Sequence, residues 1–147
     1  MKNEVLITFL NNINALNEYT LKAEYSTNDN DIKVIVVQEA SGNKQVFYGD
    51  IQPLYDYFNI EIYGDNIEQE YKIAKLLGDL IGTTHYITRT IKRDKKKYSE
   101  TWEIIFKQYT NPRTIQYYDI RRVSYIMTLQ CVISKITETE VINQIGG

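Results

Sequence analysis

The stretch FNIEIYGDNIEQEYKIAKLLGDLIG, residues 58–82, decides the fold. Its first six residues alternate: Phe58, Ile60 and Ile62 are apolar, while Asn59, Glu61 and Tyr63 fall between them, the period of a half-buried strand. Gly64 ends that strand. Asp65 is the expected N-cap of the next element, and Glu68, three residues on, completes a capping-box pattern. From there the period lengthens to that of a helix, with Ile67, Tyr71, Ala74, Leu77 and Ile81 on one stripe and Lys72 and Lys75 away from it. Gly82 is the stop. A strand passes into an amphipathic helix within a few residues, and the joint holds no glycine-rich loop, histidine or nucleophile.

Working outward, residues 3–16 place Leu6, Phe9, Leu10, Ile13 and Leu16 on one helical face, so a helix is expected there. Residues 18–25 read as either a short strand or an irregular lead-in, and 26–31 as a polar turn. IKVIVVQ, 32–38, is an unbroken β-branched run and predicts a strand buried on both faces. Residues 40–45 read as a turn, and 46–54, with Gly49 and Pro53, carry no clear pattern. On the other side of the opening stretch, 85–92 and 99–109 read as two strands of a hairpin joined through the charged tip 93–97, with Trp102, Ile104 and Phe106 sharing a face. Asn111-Pro112 breaks the chain. The last strand places Val123, Tyr125, Met127, Leu129, Cys131 and Ile133 on one face. Ser124, Thr128, Gln130 and Ser134 lie on the other, where Ile126 and Val132 are apolar exceptions.

The expected order is helix, two strands, helix, three strands. A single, mostly antiparallel β-sheet of α+β class satisfies it, with both helices packed on one face, since each apolar stripe must find an apolar surface. Residues 1–136 form one domain in this reading, and 137–147 a flexible C-terminal tail. A chain of 147 residues matches one ordinary domain.

Composition narrows the function classes. Seventeen basic and 19 acidic residues leave a net charge of −2, which signals neither nucleic acid nor an anionic membrane. No run approaches the ~18 apolar residues of a membrane helix, the N-terminus lacks the pattern of a secretion signal, and the lone Cys131 rules out an internal disulfide framework. A cytosolic chain is the expectation. Thirteen tyrosines against four phenylalanines and one tryptophan suit half-wet sheet faces and protein interfaces, although an AT-rich coding sequence accounts for them equally.

Chemistry-bearing patterns are sparse. His85 and Cys131 are single copies, so no soft-ligand cluster exists, and no calcium loop, nucleophile elbow or phosphate cradle appears. Paired acids could still arise from Asp50, Asp56, Glu61, Asp65 or Asp79, because general acid–base pairs need only proximity in space. His85 reads as a surface or sheet residue and Cys131 as core filling. No enzyme activity, cofactor or metal is expected. The sharpest charge feature is the basic tip Lys92, Arg93, Lys95, Lys96 and Lys97. It suits either non-specific phosphate contact or a solvated turn that discourages strand-edge association.

The layout as a whole resembles the tail terminator proteins of long-tailed bacteriophages, a family also described as tail completion or minor capsid proteins. The matching positions are Ile60, Ile62 and Gly64 in the strand, Ala74, Leu77 and Leu80 in the helix, Pro112, Asp119 and Arg121 before the last strand, and Val123 to Ile133 within it. The insert VFYGDIQPLYDY, 46–57, departs from the pattern and puts the first strand-to-strand connection in doubt. What the resemblance implies is a structural virion protein: a homohexameric ring in the tail or neck, assembled in the bacterial host cytoplasm. It would cap the tail tube protein and offer its other face to the head connector or stopper, with DNA passing unread through the lumen. Tyr117, Tyr118, Asp119, Arg121, Arg122, Ile126 and Val132 are the candidate interface, helix coverage within the subunit being the other explanation for the last two. Another neck, head-completion or tail-tube protein is the nearest alternative, and a small carboxylate-based enzyme a more distant one.

Overall fold

The computed structural model describes residues 2–24, 33–39, 55–64, 66–110, 113–117 and 122–142, with the backbone alone described for 113–117 and 122–124. The chain is α+β, as expected. It begins with α1 (Lys2–Asn11), followed by a single 3-10 turn at Asn14–Leu16. The helix expected to reach residue 16 stops at Asn11, ahead of Asn12, and Ile13 is extended, with φ −86° and ψ 116°. Asparagine favours local side-chain bonding over the helix interior. Leu16 still reaches the core, through the 3-10 turn.

Strands β1 (Thr20–Lys22), β2 (Val34–Glu39) and β3 (Asp56–Gly64) follow, then α2 (Ile67–Asp79), β4 (Thr84–Arg93), β5 (Lys96–Tyr109), β6 (Arg113–Tyr117) and β7 (Arg122–Glu140). They build one 7-stranded sheet in the order β1-β2-β3-β7-β5-β4, with β6 also paired to β7. Every pairing is antiparallel except β1 with β2. β1 settles the ambiguity at residues 18–25, and β6 was not expected at all. β5 and β6 lie end to end along one edge of β7: Tyr109 is opposite Leu129, and Arg113 resumes opposite Ile126. The ladder along that edge of β7 stops at Tyr109 and resumes at Arg113. Thr110 adds one further link, donating its backbone N–H to Thr128 O at 3.0 Å and accepting the Thr128 N–H on Oγ1 at 2.9 Å.

Both helices pack on one face. Val5, Leu6 and Leu10 of α1 and Ile73, Ala74 and Leu77 of α2 join a single core with Phe58, Ile60, Ile62, Trp102, Ile104, Phe106, Met127, Leu129, Cys131 and Ile133. α1 touches both β2 and β4, which in a flat sheet would stand about 19 Å apart at ~4.8 Å per strand. The sheet must curl around the helix. Two irregularities in β5, at Thr101/Trp102 and Phe106/Gln108, supply the bending.

β2 is buried on both sides, as its unbroken run predicts: Val34 to Val37 are all at most 1% exposed. Val34 and Val36 form a second small cluster with Tyr63, on the face away from the helices. This corrects the expectation for Tyr63, which sits on the polar side of the alternation but is buried there. Its hydroxyl donates to the Glu61 carboxylate.

Two corrections concern α2. Its N-cap is Asn66, whose side chain accepts the N–H groups of Glu68 (3.1 Å) and Gln69 (3.2 Å); Asp65 lies outside the described residues. The buried stripe is Glu70, Ile73, Ala74 and Leu77, while Ile67 and Tyr71, expected inside, are 48% and 46% exposed. The helix is rolled so that the Glu70 carboxylate lies over Gly64, where a β-carbon would come within 2.5 Å of Oε1. Gly82 takes φ +86° just after the helix, as a stop should. At the far end, β7 continues to Glu140, paired with Tyr98, so residues 137–140 of the expected tail are strand.

Candidate functional site

His85, Cys131, Asp56 and Glu61 have structural surroundings that account for them. His85 packs tilted against Phe9 (ring centroids 4.6 Å) and edge-on to Phe106 (5.9 Å), and its Nε2 lies 2.8 Å from Thr83 Oγ1. Cys131 is fully buried, and burial pushes its thiol up to about 12, too high for a nucleophile at neutral pH. Among the candidate acids, Asp56 accepts from Lys2 Nζ (3.1 Å) and from the Ile133 N–H (3.1 Å), and Glu61 from Tyr63. Asp79 is exposed at the end of α2, while Asp50 and Asp65 lie outside the described residues. Among the described residues no group of three His, Cys, Asp or Glu side chains gathers as a metal site. Among the described residues a shallow polar depression is lined by Asn3, Ala23, Glu24, Gln38 and Glu39, and the Glu39 carboxylate accepts the Asn3 backbone N–H at 3.1 Å. No described helix is long and apolar enough to cross a membrane.

The distinctive geometry is an arm. β3 leaves β7 at the Asp56–Cys131 pair. Beyond that point β4, β5 and the second half of β7 continue together as a three-stranded ribbon ending at the 93–96 turn. That turn has two residues, Asp94 at φ 53° and Lys95 at φ 65°. Two positive φ values in succession are the type I′ signature, whose twist matches the strands it joins.

Past Ile87 and Trp102 the helix side of the arm is held by charge. Glu100, 2% exposed, accepts from Arg89 Nε (2.9 Å) and Trp102 Nε1 (3.2 Å) and lies 3.2 Å from Lys135 Nζ. Arg89 also reaches Glu4 of α1 at 3.5 Å, Lys135 reaches Glu138 at 3.4 Å, and Arg93 reaches Glu138 at 2.8 Å. Burial pushes the Glu100 carboxyl up, but the hydrogen bonds from Trp102, Arg89 and Lys135 outweigh it and hold the group below its ordinary value. Charges alternate from Glu4 through Arg89, Glu100, Lys135 and Glu138 to Arg93, and this zipper ties α1 and three strands together.

Among the described residues both margins of the arm are open. Among the described residues no strand pairs with the outer edge of β4, and none pairs with β7 beyond Cys131 on the side that β3 has left. Asp56 satisfies the first vacated N–H, that of Ile133. Open edges of nine or ten residues are templates for a further strand. Sequence reasoning missed them, because an edge is defined by which strands neighbour which. The one available signal was the polar run KITETE at 135–140, which alternates without an apolar face.

The sequence-predicted interface residues scatter. Ile126 and Val132 are half-buried on the helix-free face, opposite Glu61 and Ile105 respectively, so neither helix covers them. Tyr117 and Arg122 are paired where β6 meets β7, with their side chains not described; Tyr118, Asp119 and Arg121 lie outside the described residues. The basic tip is exposed: Lys92 and Arg93 end β4, Lys95 is in the turn, and Lys96 and Lys97 open β5. It is partly neutralised, since Arg93 pairs with Glu138 and Lys96 lies 3.9 Å from Glu140. No family model matches the chain, and no curated protein matches it.

Proposed function

We propose that this chain is a structural assembly protein of a bacteriophage tail or neck. In this reading it is a terminator-type subunit that closes into a ring, caps the tail tube and meets the head connector, with DNA passing through the lumen. The observation that supports it is the arm: a subunit whose sheet ends in two long open edges is suited to being continued by copies of itself. Rings arise when one patch docks on a different patch of the neighbour, and two distinct margins on one arm meet that requirement. The exposed bases at the end of the same arm support the reading, since lysine and arginine contact phosphates without reading sequence.

The test is the mass of the purified chain by light scattering or mass photometry, alone and with purified tail-tube protein. A discrete ring-sized species supports the proposal, and a monomer that ignores tube protein refutes it. Electron microscopy of the assembly separates a terminator, which gives single closed rings, from a tube protein, which gives filaments.

A further inference from the structure

We infer that the two open margins of the arm are each other's partner: β7 of one copy pairs in parallel with β4 of the next. The inference rests on the ring reading and specifies its contact.

Strand direction is the first argument. β4 is antiparallel to β5, and β5 to β7, so β4 and β7 run the same way. A neighbour that continues the sheet with the same face inward must therefore set its β4 parallel to this β7. The margins match in length, Thr84–Arg93 on one side and residues 132–140 on the other.

Charge is the second argument. β4 carries Arg89, Lys92 and Arg93 and no acid, with the last two at its C-terminal end. The open part of β7 carries Lys135, which is paired with Glu100 and Glu138, and the acids Glu138 and Glu140 at its own C-terminal end. Parallel pairing sets these ends side by side, so Lys92 and Arg93 meet Glu138 and Glu140 across the contact as Arg93 meets Glu138 within each subunit. Complementary charge across a contact favours the right partner and penalises the wrong one.

The backbone is the third argument. Phe106 donates to Thr83 O, and ladder bonds in an antiparallel pair alternate. Thr84, Tyr86, Thr88, Thr90 and Lys92 thus turn their N–H and C=O groups to the open side. The same alternation, counted from the Val141 N–H bonded to Lys97 O, turns out Glu138 and Glu140. No proline blunts either margin.

The test blocks one margin at a time. Thr90→Pro deletes an outward N–H of β4 while sparing its ladder with β5, and Glu138→Pro does the same on β7. Thr90→Glu and Glu140→Lys repeat the two blocks by charge, with no proline and no loss of the backbone donor. Circular dichroism checks that each variant is folded. Each single variant should lose the wild-type oligomer, and an equimolar mixture of a β4-blocked and a β7-blocked chain should give a discrete heterodimer, since the pair retains one good margin of each kind. Rings that persist in the folded blocked variants, or a mixture that stays monomeric, overturn the pairing while leaving the ring reading intact. A wild-type chain that is monomeric even with tube protein removes both.

Discussion

Gly64 and Gly78 make a paired prediction, because alanine should act oppositely at the two sites. At Gly64 a β-carbon would lie 2.5 Å from Glu70 Oε1, 3.2 Å from its Cδ and 3.3 Å from its Cγ. Comfortable separation is about 3.5 Å or more, so the carboxylate must retreat by roughly 1 Å. Glu70 is 1% exposed and has no solvent to swing into. Overpacking of this kind costs about 1–3 kcal/mol, and ~2 kcal/mol in a chain of this size lowers Tm by roughly 4–8 °C. At Gly78 the obstacle is the Tyr109 ring, 3.0 Å away at its nearest, but Tyr109 is 42% exposed and free to turn outward. Relieving a helix-interior glycine is worth up to about 1 kcal/mol, so Gly78→Ala should leave stability unchanged or raise it. Thermal and urea unfolding of both variants measure the difference. In a Glu70→Ala background the Gly64→Ala cost should shrink by at least ~1 kcal/mol, since the two side chains share one space. Equal effects at both glycines, or an undiminished Gly64→Ala cost without Glu70, would refute the reasoning.

Replacing Glu100 with Gln should cost about 3 kcal/mol in urea unfolding at neutral pH, because Arg89 and Lys135 lose a buried counter-charge. The folded carboxyl sits below its ordinary value of 4.5, so its contribution is present above that pH and fades as pH falls through the lower folded-state value. The gap between wild type and Glu100→Gln should accordingly narrow on acidification, and a gap constant from pH 7 to pH 3 would contradict the assignment. Cys131 should resist thiol reagents in the native protein and react only on unfolding, which a colorimetric thiol titration with and without denaturant decides. Asp94→Asn combined with Lys95→Gly should stabilise the chain by about 1 kcal/mol, since both positions require the left-handed backbone that Asn-Gly adopts readily. An unchanged or lower unfolding midpoint would show that the turn is not limiting.

Much of the fold was legible because it rests on local periodicity. The alternation at 58–62, the unbroken run of β2, the hairpin around 93–97 and the strand character of the last segment up to Ile133 each follow from which side chains need burial, whereas the continuation of β7 to Glu140 does not. Local reading failed where two neighbours could do one job. Asp65 and Asn66 both suit a cap, and only the path out of β3 puts Asn66 in position, with Gln69 rather than Glu68 three residues on. It failed again for the buried face of α2: a hydropathy stripe pointed to Ile67 and Tyr71, whereas the space left by the missing side chain of Gly64 admits Glu70. The candidate contact surface was less legible still. Ile126 and Val132 stood out as exceptions to alternation, but nothing in their neighbours along the chain showed that the helices would occupy the opposite face.

By itself the amino-acid order determined the α+β class, the helix and strand periods and the core-facing sides of β3 and β7, since these depend on residues at most a few positions apart. Tertiary structure alone decided the strand order, the curl around α1, the charge zipper from Glu4 to Arg93 and the two open margins of the arm. Each of those depends on which distant segments become neighbours, and β7 meets β3 and β5 across separations that no local pattern encodes.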